Sequence, residues 1–81
     1  MAKLEIPKFR YLFQDDGGEV QVCTRKPLPA DDEWRCGGEY SSVEYGARNP
    51  NWRDTLIDLD VDDYEFEDGI LRRIENDTTK N

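Results

Sequence analysis

Histidine is absent from this 81-residue chain, and cysteine occurs only twice, at Cys23 and Cys36. Without an imidazole, neither thiol has the usual base that turns cysteine into a nucleophile. The same shortage speaks against a structural zinc site within one chain, which needs four Cys or His ligands. No apolar run approaches the ~20 residues of a membrane span. Residues 1–7 lack the apolar core of a signal peptide, so the expected location is the cytoplasm, with both thiols reduced. Thirteen positions separate the two cysteines, and two strands can bring them together, so a disulfide stays open as the alternative. Bases are also scarce: eleven against nineteen acids, a formal charge of −8. Phosphate contacts need Lys and Arg, so direct binding to nucleic acid or to anionic membranes is disfavoured. The same charge favours solubility and steering toward a basic protein surface. The plainer reading is a soluble acidic protein and nothing more.

Apolar residues make up 36% of the chain, below the ~45–50% usual for globular chains, a figure that also counts Gly. A chain this short buries a modest core. Two Trp, four Tyr and three Phe offset the shortage, because each aromatic buries a large area. Alternating segments separated by turn signals place the chain among folded proteins. The expected organisation is a loose lead-in over 1–8, one small domain over 9–75 and a disordered tail over 76–81.

Phe9, Tyr11 and Phe13 alternate with Arg10, Leu12 and Gln14 as a first strand. Asp15-Asp16-Gly17-Gly18 is a turn, and Glu19 to Thr24 a second strand, which together predict a β-hairpin. Residues 25–32, with Pro27 and Pro29, read as a loop. A short third strand over Glu33 to Cys36 and a fourth over Glu39 to Tyr45 follow, divided by Gly37-Gly38. Asn51 or Asp54 is positioned to cap a single helical turn near Trp52. Asp68-Gly69 is a two-residue hairpin turn that sets Glu67 opposite Ile70, Phe66 opposite Leu71 and Glu65 opposite Arg72. The rival is a short helix from Ile70, since Ile70, Leu71 and Ile74 share a helical stripe. The fold class is mainly β, a small antiparallel sheet of two hairpins with one short helical turn as an option; α+β is the alternative.

Between Asp58 and Asp68 stand seven carboxylates and no base. Ile57, Leu59 and Val61 alternate with Asp58, Asp60 and Asp62; after Asp63, Tyr64 and Phe66 alternate with Glu65 and Glu67. That pattern reads as a strand with one dry face and one acidic face. Same-face carboxylates on a strand recur about every 6.6–6.8 Å. Duplex phosphates step ~3.4 Å along the axis of each strand and wind as they climb. The row is therefore compatible with phosphate mimicry, although a charged edge that discourages aggregation has the same look. The acids do not make an EF-hand: where its loop needs Gly stands Asp63, and where it needs Glu stands Gly69. Paired acids also suit glycosidase-type chemistry, but that requires a cleft to raise one carboxyl pKa, and so thin a core leaves little room for one. Trp34, Trp52, Tyr40, Tyr45 and Tyr64 fill a core on the plainer reading and anchor an interface on the other. Arg48 and Arg53 flank the loop before Trp52 and are placed to join such a patch.

Tyr11-Leu12-Phe13, Asp16-Gly17-Gly18-Glu19-Val20, Thr24, Lys26-Pro27 and Trp34, with the later Asn51-Trp52-Arg53-Asp54, resemble small accessory proteins of tailed phages and prophages. The resemblance covers roughly residues 9–57 and leaves out the acidic hairpin. It carries no functional residue across. It implies a phage-encoded protein acting in the bacterial cytoplasm, where small acidic proteins bind and inhibit host machinery.

The expectation is thus a non-enzymatic inhibitor, without cofactor or metal, acting as a monomer or weak homo-oligomer. It would occlude the basic channel of a host restriction, CRISPR, recombination or transcription protein. Asp58, Asp60, Asp62, Asp63, Glu65 and Glu67 would stand in for phosphates, with Trp52 or Tyr64 as apolar anchor. The alternative is a structural accessory that completes a phage particle or complex through sheet edges.

Overall fold

A computed structural model describes residues 8–74. In chain order the strands are β1 (Tyr11–Gln14), β2 (Glu19–Cys23), β3 (Leu28–Pro29), β4 (Trp34–Arg35), β5 (Tyr40–Tyr45), β6 (Ile57–Asp58), β7 (Asp63–Glu67) and β8 (Ile70–Ile74). A single 3-10 turn, Trp52–Asp54, precedes β6. One four-stranded sheet runs β5-β2-β1-β6, and two two-stranded ribbons, β3-β4 and β7-β8, complete the fold. The protein is mainly β, with antiparallel pairing throughout.

The first hairpin forms as its turn signal predicts, with Tyr11 opposite Cys23 and Gln14 opposite Val20. The Asp15 side chain accepts the Glu19 N–H at 3.0 Å, and the Asp15 carbonyl accepts the Gly18 N–H at 3.0 Å. Alternation along β1 then sorts the core onto two faces. Leu12, Val20, Val22, Ile57, Tyr64 and Leu71 cluster on one, and Phe13, Cys23, Trp34 and Trp52 on the other. A fully buried Leu, Val, Ile or Phe contributes about 1.5–3 kcal/mol relative to exposure, so this double-sided sheet makes good use of few apolar residues. On the second face Trp34 lies 5.7 Å from Phe13 and packs edge-on to Trp52 at 5.6 Å.

Four expectations are corrected. Residues 25–32 are not all loop, because Leu28 and Pro29 pair with Arg35 and Trp34. Proline is tolerated there because the ribbon has two strands only, and an edge position needs no donor. Cys23 and Cys36 are not free thiols but a disulfide that ties β2 to the segment after β4. Closing a loop of this length is worth about 3 kcal/mol in the chain-entropy account.

The third correction concerns the acidic stretch, which is not one strand. It breaks into β6, a turn and β7. The Asp58 carbonyl accepts the N–H groups of Val61 at 2.9 Å and Asp62 at 2.7 Å. Asp62 Oδ2 accepts the Asp58 N–H, and Asp58 Oδ1 accepts the Asp60 N–H, both at 3.0 Å. Short Asp side chains offer the backbone local acceptors that compete with a ladder. Here the competition goes to the turn. The Asp68–Gly69 hairpin, by contrast, has the register the turn predicts, and its strand reading prevails over the helix from Ile70. Asp68 and Gly69 both take positive φ, 55° and 78°, as a type I′ turn requires.

The helical turn near Trp52 is present, but Asn51 makes no side-chain cap bond, so the capping roles expected of Asn51 and Asp54 are not realised; at the other end the Thr55 hydroxyl donates to the Trp52 carbonyl at 2.7 Å. Of the expected lead-in over 1–8 all but Lys8, and of the expected tail over 76–81 all, lie outside the described residues. Among the described residues no helix is long and apolar enough to cross a membrane.

Candidate protein-docking surface

Asp58 sits at the end of β6 opposite Tyr11, beside Arg10. The Arg10 guanidinium donates from Nε and Nη2 to the two Asp58 oxygens at 3.1 and 2.9 Å, a two-pronged contact, and lies 3.5 Å from Asp60. These bonds hold the Asp58 carboxyl below the ordinary aspartate range, against partial burial and with help from the Asp60 N–H. They raise Arg10 in return, the Asp58 hydrogen bond being the first cause. Asp58 is therefore pushed in the direction opposite to that a general acid needs.

The six acids of the expected row separate into two kinds. Asp58 and Asp62 turn toward the chain and hold the turn. Asp60 projects, with 71% of its side chain exposed. Along β7, Tyr64 and Phe66 face the core while Asp63, Glu65 and Glu67 share the outer face. Glu65 accepts from Arg72 at 3.3 Å across the hairpin, and Asp63 accepts the Tyr64 N–H at 2.8 Å. What survives of the ribbon is one exposed turn residue, Asp60, and two exposed strand residues, Asp63 and Glu67, with the Arg72-paired Glu65 between them. Against the expected role of apolar anchor, Trp52 and Tyr64 are only 5% and 8% exposed. Trp52 packs on Trp34 with the Arg53 guanidinium 4.7 Å over its ring, and Tyr64 joins the first cluster. Arg53 is further held by the carbonyls of Ala30 and Asp31, and Arg48 faces Asp16 at 3.4 Å.

The exposed aromatics are instead Tyr40 and Tyr45, 64% and 74% exposed, at either end of β5. β5 lies at the edge of the sheet. Tyr40, Ser42 and Tyr45 stand opposite Cys23, Gln21 and Glu19, on the same face as Trp34. There an open groove of about 530 Å³ is lined by Tyr40, Gln21 and Trp34, by the acids Asp15, Glu19 and Glu33, and by one cationic residue, Arg35. The Tyr45 hydroxyl donates to Glu19 at 3.3 Å. The sequence signal for this surface was the pair of tyrosines flanking a Ser-Ser-Val-Glu strand; which aromatics would be left outside depended on pairing that periodicity does not specify. Among the described residues no group of three or more His, Cys, Asp or Glu is arranged to hold a metal ion.

Comparison with family models, with curated proteins and with solved structures finds no match.

Proposed function

We propose that this chain is a small acidic protein-binding module, without catalysis of its own, that docks on a basic protein surface and blocks it. The observation that supports this reading is the exposed set Asp60, Asp63 and Glu67 on the β6–β7 turn and the outer face of β7, with Glu65 between them paired to Arg72, built on a hairpin pinned to the core by Tyr64 and Leu71. A hairpin already paired along both strands presents those charges with less backbone freedom left to lose on binding. The partner class that fits is a nucleic-acid-handling protein with a Lys/Arg-lined channel, and occlusion is the mechanism. The corrected geometry shortens the decoy from an eleven-residue row to a patch, with Asp58 and Asp62 as its supports. If the chain acts on bacterial host machinery, as the phage-like segments imply, the fold must also persist in a reducing cytoplasm, where disulfides are rarely kept.

Capture from a bacterial lysate tests this. Wild type should retain a basic partner that Asp60→Asn/Asp63→Asn/Glu67→Gln does not, with both proteins equally folded by circular dichroism. Equal retention by the variant contradicts the reading. The assembly-subunit reading draws support from the edge position of β5; a defined homo-oligomer in solution, disrupted by a proline in β5, would favour it.

A further inference from the structure

We infer that the outer edge of β5 is a second docking site, and that its occupant is an extended, lysine- or arginine-bearing segment of a partner protein added as a fifth strand. This deepens the docking reading, and rests on it only for the basic character of the partner. The Thr24 N–H donates to the Glu39 carbonyl at 3.0 Å, which marks Thr24–Glu39 as a bonded pair of the ladder. Bonded and non-bonded pairs alternate in an antiparallel ladder. Tyr40 and Ser42 therefore aim their N–H and C=O groups away from β2, and among the described residues no strand lies beyond them. The register irregularity falls after Ser42, opposite Val20/Gln21, and leaves the Tyr40–Ser42 stretch regular. β5 has no Lys and no Pro, two of the usual guards of an open edge.

Charge decides the occupant. An added strand sends alternate side chains over Tyr40, Ser42 and Tyr45. The small Ser42 leaves a gap between the two rings, and beyond it the groove lining carries three carboxylates, Glu19, Glu33 and Asp15, against one cation, Arg35. A long cationic side chain lays its stem on the tyrosines and its head among those carboxylates. A second copy of this chain, at −8, would bring acidic walls against acidic walls. Backbone pairing supplies affinity in strand addition, and alternate side-chain sites supply selectivity.

The test uses a capped heptapeptide, Lys-Val-Lys-Thr-Lys-Val-Lys, its Glu-for-Lys counterpart, and the lysine peptide with alternate backbone nitrogens methylated on its pairing edge. The lysine peptide should bind the full chain with amide-shift changes centred on 39–45 and Glu19. Methylation should weaken it at least tenfold, as should Glu19→Gln/Glu33→Gln, and the Glu peptide should not bind. Equal binding by the methylated or Glu peptide, shift changes confined to 60–67, no binding at millimolar peptide, or a dimer joined through β5 would each overturn the inference. Because Asp60→Asn/Asp63→Asn/Glu67→Gln leaves the β5 edge intact, loss of the peptide site and loss of the acidic-patch reading are separately visible.

Discussion

Gln14 is the residue on which most of this fold converges. It is fully buried at the end of β1. Its Nε2 donates to the carbonyls of Gly18 and Gly69, both at 2.9 Å, and its Oε1 accepts from Asn49 Nδ2 and the Leu71 N–H, both at 3.0 Å. Its backbone carbonyl accepts from Trp34 Nε1 and Thr55 Oγ1, and its N–H donates to Thr55 Oγ1. One amide thus ties the first hairpin to the last. Gln14→Leu fills the space but leaves Asn49 Nδ2 and the Leu71 N–H without partners, while the Gly18 and Gly69 carbonyls keep the Gly46 and Ala47 N–H groups. Each such group costs about 1–3 kcal/mol, so urea unfolding should show a loss of at least ~2 kcal/mol. A change below ~1 kcal/mol would mean water or local movement satisfies those groups. The Asp58–Arg10 pair is a second residue-scale device. Because the folded Asp58 is held below its unfolded value, its stabilisation is present above the unfolded aspartate pKa of ~3.9 and is lost as pH falls through the lower folded value. The melting temperature of wild type should drop below about pH 4 more steeply than that of Asp58→Asn. Parallel curves would show that the pair contributes nothing measurable, as half-exposed pairs sometimes do.

At the scale of elements, local chemistry and long-range packing pull apart in instructive places. Both main hairpins were legible in the sequence because Asp/Gly turns set register without help from the rest of the chain. The acidic segment was not, because Asp at every second position satisfies two templates at once. It alternates like a strand, and it also supplies the carboxylates that cap a turn. Arg10, distant in sequence, resolves the ambiguity by drawing Asp58 and Asp60 to one place. Gln14 escaped notice for a similar reason: an alternating polar residue on a strand reads as solvent-facing until a second layer covers it. The two layers also meet closely at Gly69. A Cβ there would stand 2.5 Å from the Ala47 nitrogen, and the residue also holds φ at 78°. Gly69→Ala should therefore cost more than about 1 kcal/mol, whereas Asp68→Asn, which keeps the turn chemistry, should be nearly neutral. Denaturation midpoints of the two variants test that contrast; equal effects would show that the turn is not constrained by Ala47.

For the molecule as a whole, a thin core is compensated by two-sided use of one sheet, by the Gln14 network and by the Cys23–Cys36 bond. Reduction should lower stability by about 2–4 kcal/mol, read as a fall in melting temperature with reductant that Cys23→Ser/Cys36→Ser reproduces and that reductant does not deepen further. No change on reduction would remove the disulfide from the account. The charge of −8 gives the whole molecule a field that accelerates encounter with a basic surface, while close contacts set how long the complex lasts. The most direct measurement is therefore the association rate of the isolated partner with wild type and with Asp60→Asn/Asp63→Asn/Glu67→Gln, across a range of ionic strength. A docking module of this kind predicts a wild-type rate that falls steeply with salt, by roughly tenfold or more, and a variant that is slower at low salt and flatter throughout. Superimposable curves for the two proteins would contradict it.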